Sequence, residues 1–210
     1  MSFFYITATA FISLIAYLFL DLPIAAFAFF TPNYILYISL VITAIATPFS
    51  HLFLWGGLTF LGWTRKWDKQ FTYRSLQLFI ICGFILFVAG IMKILLARAR
   101  PELFFHEHLY GFYFGFSGNA YRSFPSSHAA IAFGLARFWK ILSSKNIFYP
   151  YLLASLVGLS RVLTNQHYIS DVFIGAFIGI SIASLTYFLT EKHKSFILNL
   201  LGNFGYPGHR

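Results

Sequence analysis

Charge and sulfur are what this sequence has least of. Among its 210 residues there are 15 Lys and Arg and only 6 Asp and Glu, so 10% are charged, where a soluble domain carries about 25%. That scarcity excludes an ordinary water-facing surface. The single cysteine, Cys82, excludes an intramolecular disulfide and any paired-cysteine metal motif. It lies in an apolar stretch and reads as a small apolar residue. No Pro/Ser-rich linker, internal repeat, low-complexity tract or Gly-rich nucleotide loop divides the chain, so one domain over 1–210 is expected.

What is abundant is apolar and aromatic. Hydrophobic residues make up 59% of the chain and aromatics 21%, and they come in long blocks. Blocks of this kind are the mark of a membrane-embedded helical bundle. The fold class expected is therefore all-α and polytopic, with six transmembrane helices. The first block runs from Phe3 to Leu20; without a basic leader or a cleavage site it reads as a membrane helix rather than a signal peptide. Asp21, Pro23 and Pro32 mark the first connection. The second block spans Tyr34–Leu61, with a kink expected at Pro48 and a polar interruption at His51. The others are Leu76–Ala97, Ser127–Leu142, Ile147–Leu163 and Val172–Leu189. Gly175 and Gly179 have the GxxxG spacing that allows close helix packing.

The net charge of +9 does not point to nucleic acid, because no soluble basic face exists to present it. It reads instead as topology. Arg65, Lys66, Lys69 and Arg74 follow the second block, Arg137, Lys140 and Lys145 follow the fourth, and Lys192, Lys194 and Arg210 follow the sixth. In a six-helix arrangement these share one side, which the positive-inside rule makes cytoplasmic. The segments 98–125 and 161–171 then face the other side. The expected location is a cell membrane, with these segments toward the periplasm or exterior.

Those segments carry the chemistry. Lys93 and Arg100-Pro101 are seven residues apart, about two helical turns, so both cations can share a face if the helix continues that far. Pro125-Ser126-Ser127-His128 opens the fourth block, where a hydroxyl and free N–H groups at a helix N-terminus make an anion site. Ser160-Arg161 is followed by His167 and Asp171 at i, i+4. A helical turn there would let the carboxylate hold one imidazole nitrogen and leave the other free for attack. Taken singly, Lys93 could snorkel, Ser126 could be a plain helix cap, and His167–Asp171 could be a structural pair. Together they are harder to dismiss, since an ionisable group at the centre of a membrane helix costs about 2.5–3.5 kcal/mol on insertion scales. Three fixed cations suit a phosphate, and two histidines can divide the work of nucleophile and general acid.

Lys93…Arg100-Pro101, Pro125-Ser126-Ser127-His128 and Ser160-Arg161…His167…Asp171 together resemble the three-part signature of the type 2 phosphatidic acid phosphatase superfamily. The signature spans residues 93–171. The resemblance implies a membrane phosphatase acting on a lipid phosphate, with no cofactor and no metal. It implies that His167 attacks phosphorus, Asp171 orients it, and His128 protonates the leaving oxygen and later activates water. Lys93, Arg100, Arg161, Ser126 and the Ser127 backbone would hold the phosphoryl oxygens. The family usually has Gly where Ser127 stands, and a serine N–H donates equally well if its φ/ψ is ordinary. The partners expected are the bilayer and a lipid phosphate, with no oligomer required. Undecaprenyl pyrophosphate, phosphatidylglycerol phosphate, phosphatidic acid and lipid A phosphate all fit. Glu102, His106, Glu107 and His108 have the chemistry of metal ligands but no assigned role. Tyr110, Phe112, Tyr113, Phe114 and Phe116 are expected at the membrane interface, where they could line an entrance for a lipid chain. Rival readings are phosphotransfer to a second lipid, haloperoxidase chemistry, and a non-catalytic phosphate-binding protein.

Overall fold

The computed structural model describes residues 3–115, 118–143 and 148–203; Phe116, Lys145, Ile147 and Arg210 lie outside these. The described residues form ten α-helices and no strand. They are α1 (Phe3–Ile15), α2 (Asp21–Phe29), α3 (Asn33–Ile45), α4 (Pro48–Thr64), α5 (Lys69–Leu96), α6 (Pro101–Glu107), α7 (Ser127–Leu142), α8 (Phe148–Leu163), α9 (Ile169–Lys192) and α10 (Lys194–Asn203). Four stretches are long and apolar enough to cross a membrane: Ile6–Phe29, Asn33–Thr64, Lys69–Leu96 and Ile169–Lys192. Helices α7 and α8 have 16 residues each, about 24 Å of rise, short of the roughly 30 Å hydrocarbon core.

The first span corrects the expected boundary at Leu20. Instead of ending before Asp21, the helix passes through a π-helical turn, Ala16–Leu20, and continues as α2 to Phe29. Pro23 cannot donate to the ladder and crowds the carbonyl four residues back, and a π turn directly upstream is one way a helix absorbs such a defect. Asp21 is thereby carried inside the helical stretch, where it is buried. At Pro48 the chain breaks rather than kinks: α3 stops at Ile45, and Pro48 is at the start of α4, where its missing N–H costs nothing. Helix α5 begins at Lys69, earlier than expected, because Asp68 caps it by accepting from the Phe71 N–H at 2.7 Å.

The centre is a three-helix contact of α5, α7 and α9, filled by Ile81, Cys82, Ile85, Ala130, Ile131, Ile182 and Ala183. Gly175 and Gly179 make it possible. A Cβ on Gly175 would stand 2.5 Å from the Ser126 carbonyl oxygen, and one on Gly179 2.0 Å from that of Ala130. Backbone thus lies on backbone, and the N-terminus of α7 is seated directly against the first turns of α9. Around this centre, Phe19, Phe53, Phe87 and Phe188 are exposed, as a bilayer-facing surface requires. At the far end from α6, Arg74 pairs with Glu191 at 2.6 Å and Gln77 donates to Thr190 at 2.6 Å, tying α5 to α9.

Candidate active site

Three chain segments converge beyond the ends of α5, α8 and α7. Helix α5 stops at Leu96 because Ala97 turns left-handed, φ 45°. Lys93 and Arg100 therefore do not share a continuous helical face, as their spacing suggested. Arg100 is extended and precedes Pro101, the first residue of α6. The turn still brings the two cations together, and Lys93 has Arg100, Arg161, Arg122 and Asp171 as its electrostatic neighbours. Its ammonium donates to the Arg122 carbonyl at 2.7 Å. His128, at the second residue of α7, is surrounded by Arg161, His167, Lys93 and Arg100. The structure thus gathers both histidines and all three expected cations.

Each cation is held by a residue that the motifs did not announce. Arg100 donates through Nη1 to Gln166 Oε1, and Arg161 donates through Nη1 to Thr43 Oγ1 at 3.1 Å. Thr43 is steadied in turn by Ser160 Oγ at 3.1 Å. The Nε atoms of Arg100 and Arg161 are buried and have no hydrogen-bond partner among the described residues. Buried donors of this kind need an acceptor, and these are already gathered beside two histidines. Ser126 is fully buried and caps α7, its Oγ accepting from the Ala129 N–H at 3.5 Å. Ser127 is an ordinary first helical residue, so no glycine-only conformation is demanded of it.

The His167 environment differs from a simple His–Asp turn. Helix α9 starts only at Ile169, so His167 lies ahead of it. Its Nδ1 stands 2.6 Å from the Ser123 carbonyl oxygen, and Asp171 Oδ2 is 3.8 Å away. A carbonyl can only accept, so Nδ1 carries the proton and Nε2 keeps its lone pair. Asp171 acts one step back. Its Oδ2 accepts from Ser123 Oγ at 2.6 Å and from the Tyr168 N–H at 2.9 Å, pinning both residues that determine where His167 sits. Burial pushes the His167 pKa down to about 4; Asp171 opposes this, while Lys93 and Arg161 reinforce it. The imidazole is neutral at physiological pH.

Arg98 is fully buried and lies against the other carboxylate oxygen of Asp171. It donates to Asp171 Oδ1 and, at 2.6 Å, to Asp21 Oδ2. Burial works against its charge, and the carboxylates of Asp171 and Asp21 outweigh that and raise its pKa. Tyr110 and Phe112 cover it at 5.7 and 5.3 Å. These two rings, expected at the membrane interface, pack over a buried ion cluster; Phe114 is exposed. Among the described residues no group of three or more His, Cys, Asp or Glu is arranged to hold a metal. An apolar cavity of about 770 Å³ is lined by Ile42, Ile131, Ala132, Leu135, Trp139 and Val157, with others. Ala132 and Val157 are each one helical turn from His128 and Arg161, on the side away from the cations.

The sequence model of the PAP2 superfamily matches residues 74–195, which include every residue of this cluster except Thr43 and Asp21. The chain belongs to the PAP2 superfamily. Its relatives in that superfamily include a lipid A 1-phosphatase of Porphyromonas gingivalis, 30% identical over 139 residues, covering 64% of this chain and 27% of that one. A phosphatidylglycerophosphatase B of Bacillus subtilis is 30% identical over 130 residues, covering 60% of this chain and 62% of that one. The chain spans 27%, 27% and 45% of the length of three such curated relatives. The crystal structure of Aquifex aeolicus LpxE superposes with a TM-score of 0.54 at 21% identity, covering 80% of this chain and 94% of that one. The fold is therefore shared over most of both chains.

Proposed function

We propose that this PAP2 protein hydrolyses the phosphate or pyrophosphate monoester of a membrane lipid through a phosphohistidine on His167. The observation that carries the reading is the pair of buried, unpartnered Nε donors of Arg100 and Arg161, set beside a histidine whose Nδ1 is committed to the Ser123 carbonyl. Nε2 of His167 attacks phosphorus. Lys93, Arg100, Arg161, the Ser127 N–H and the capped turn at Ser126 hold the phosphoryl oxygens and stabilise the charge that builds on them. His128 protonates the leaving oxygen, then removes a proton from water, whose attack frees phosphate and restores His167. Asp171 orients His167 through Ser123 and the Tyr168 N–H. The cations supply the positive charge that a metal would otherwise bring.

The lipid tail has a place to go. The apolar cavity begins one turn beneath the cluster, and its volume is in the range of small-molecule sites. On this reading there are six spans, with α7 and α8 among them, and the cluster lies on the side away from the basic connections, toward the periplasm or exterior of a bacterial cytoplasmic membrane. The relatives act, by name, on lipid A and phosphatidylglycerophosphate, and these join undecaprenyl pyrophosphate and phosphatidic acid as candidate substrates.

Purified protein assayed against these four lipids, with and without EDTA, tests the reading. Free phosphate from at least one lipid, undiminished by EDTA, is expected; a second phosphorylated lipid in its place would mean phosphotransfer. Acid-labile label should map to the His167 peptide after brief incubation with radiolabelled substrate. It should be absent in His167→Ala and accumulate in His128→Ala when the leaving group is activated. Label on the His128 peptide would reverse the roles.

A further inference from the structure

The cluster around Arg98 reaches outside the segment that the superfamily shares. Asp21 lies in the first membrane span, Ile6–Phe29, far before residue 74 where the family match begins. It is 1% exposed, and Arg98 and Asp171 are both fully buried. A carboxylate inside an apolar span is retained only where something compensates it, and here the compensation is complete. Asp21 Oδ2 accepts from Arg98 Nη2 at 2.6 Å and from Ser170 Oγ at 2.6 Å, and Oδ1 accepts from the Ser170 N–H at 3.0 Å. Tyr110 OH stands 3.4 Å from the same Oδ2. Arg98 Nη1 turns the other way, to Asp171 Oδ1 and to Ser170 Oγ at 2.8 Å. Tyr17, Tyr110, Phe112 and Tyr168 surround the guanidinium at 4.5 to 5.7 Å.

The geometry points to Asp21 as a positioning residue for catalysis: through Arg98 and Ser170 it fixes Asp171, and with it the Ser123 carbonyl that holds His167 in its Nδ1–H form. This rests on the reading of His167 as nucleophile. One guanidinium is shared between two carboxylates, so Asp21 decides how far Arg98 can lean on Asp171. Asp21 also receives both the N–H and the hydroxyl of Ser170, the residue between the helix start and Asp171. Without it, Arg98 has Asp171 as its only counter-ion among the described residues, and Ser170 loses two acceptors at once. Asp171 then follows Arg98, and the two contacts of its Oδ2, to Ser123 and Tyr168, are the ones that aim His167. The first span is on this account part of the active site, contributed by a helix that the catalytic motifs never touch.

Asp21→Asn tests this, since it removes the charge and keeps the shape. The expected result is a kcat reduced by up to about 100-fold, the scale of a catalytic group misplaced by about 1 Å, with KM within about twofold because the phosphate-holding cations are untouched. The acid limit of phosphoenzyme formation should also move to lower pH, because a lost negative charge disfavours protonation of His167. A kcat and acid limit like those of the unmodified protein would overturn the proposal. Ser170→Ala removes the hydroxyl that joins Asp21 to Arg98 and leaves both ion pairs of Arg98 in place; it should lower kcat with KM and the thermal midpoint little changed, and an unchanged kcat would show the cluster to be scaffold only. That single variant carries the test even if Asp21→Asn fails to fold. Failure of the unmodified protein to form a phosphoenzyme would instead refute the underlying reading of His167.

Discussion

His167 is neutral in this environment because burial opposes its charging, and a nucleophile needs a lone pair. With its pKa pushed down to about 4, the reactive base is present above that value and disappears as pH falls through it. The rate of phosphoenzyme formation, measured with an activated leaving group that needs no general acid, should hold from pH 8 to about 5 and fall only near 4. A limb centred near the ordinary histidine value of about 6.5 would mean that His167 is solvated or is not the attacking group. Ser123 and Gln166 were not foreseen from the sequence. Ser123 acts through its hydroxyl on Asp171 and its carbonyl on His167, and Gln166 through Arg100; no spacing or composition singles out a lone Ser or Gln in a connecting segment. Asp21 is different. An acid within an apolar block carries a signal by itself, and its placement in a connection hid it.

The position of the catalytic turns depends on how closely α9 lies against α7. Gly175 and Gly179 let the backbones touch, and the Ser126 N–H reaches the Asp171 carbonyl at 3.1 Å across that contact. A methyl at position 179 would overlap backbone that cannot give way, and overpacking of that kind costs about 1–3 kcal/mol. Gly179→Ala should therefore lower the thermal midpoint in detergent and reduce activity with it. Gly57→Ala, on the exposed face of α4 with nothing within 4 Å, should be neutral or stabilising by up to about 1 kcal/mol. Equal midpoints for the two variants would show that the α7–α9 contact is looser than described. The GxxxG spacing is explained within one chain, and needs no dimer.

For the molecule as a whole, α5 is the ruler. Its 28 residues rise about 42 Å, enough to separate Lys69 from the segment that follows Leu96. Tyr113 belongs to the far end, its N–H donating to the Ala97 carbonyl at 3.0 Å. Cysteines placed at Lys69 and Tyr113 should thus be labelled from opposite sides of the membrane, Tyr113 from outside and Lys69 only after permeabilisation. Cys82 is buried and leaves a low background. Labelling of Lys69 from outside would invert the topology, and with it the compartment that the active site faces.

Composition and block length were enough to establish a helical membrane protein, because a bilayer accepts few other solutions. Three motifs were enough to mark Lys93, Arg100, His128, Arg161, His167 and Asp171 as a candidate site, because charge at a membrane is rare and stands out. The tertiary structure decided how those residues are arranged. The His167–Asp171 spacing suggested a direct contact, yet the carbonyl of Ser123, 44 residues earlier in the chain, accepts the imidazole Nδ1–H. The Lys93–Arg100 spacing suggested one helix face, yet a left-handed Ala97 brings them together instead. Local periodicity reports what neighbours along the chain can do. Hydrogen bonds between segments distant in sequence, such as Asp21 to Arg98 and Arg161 to Thr43, are chosen only when the helices pack.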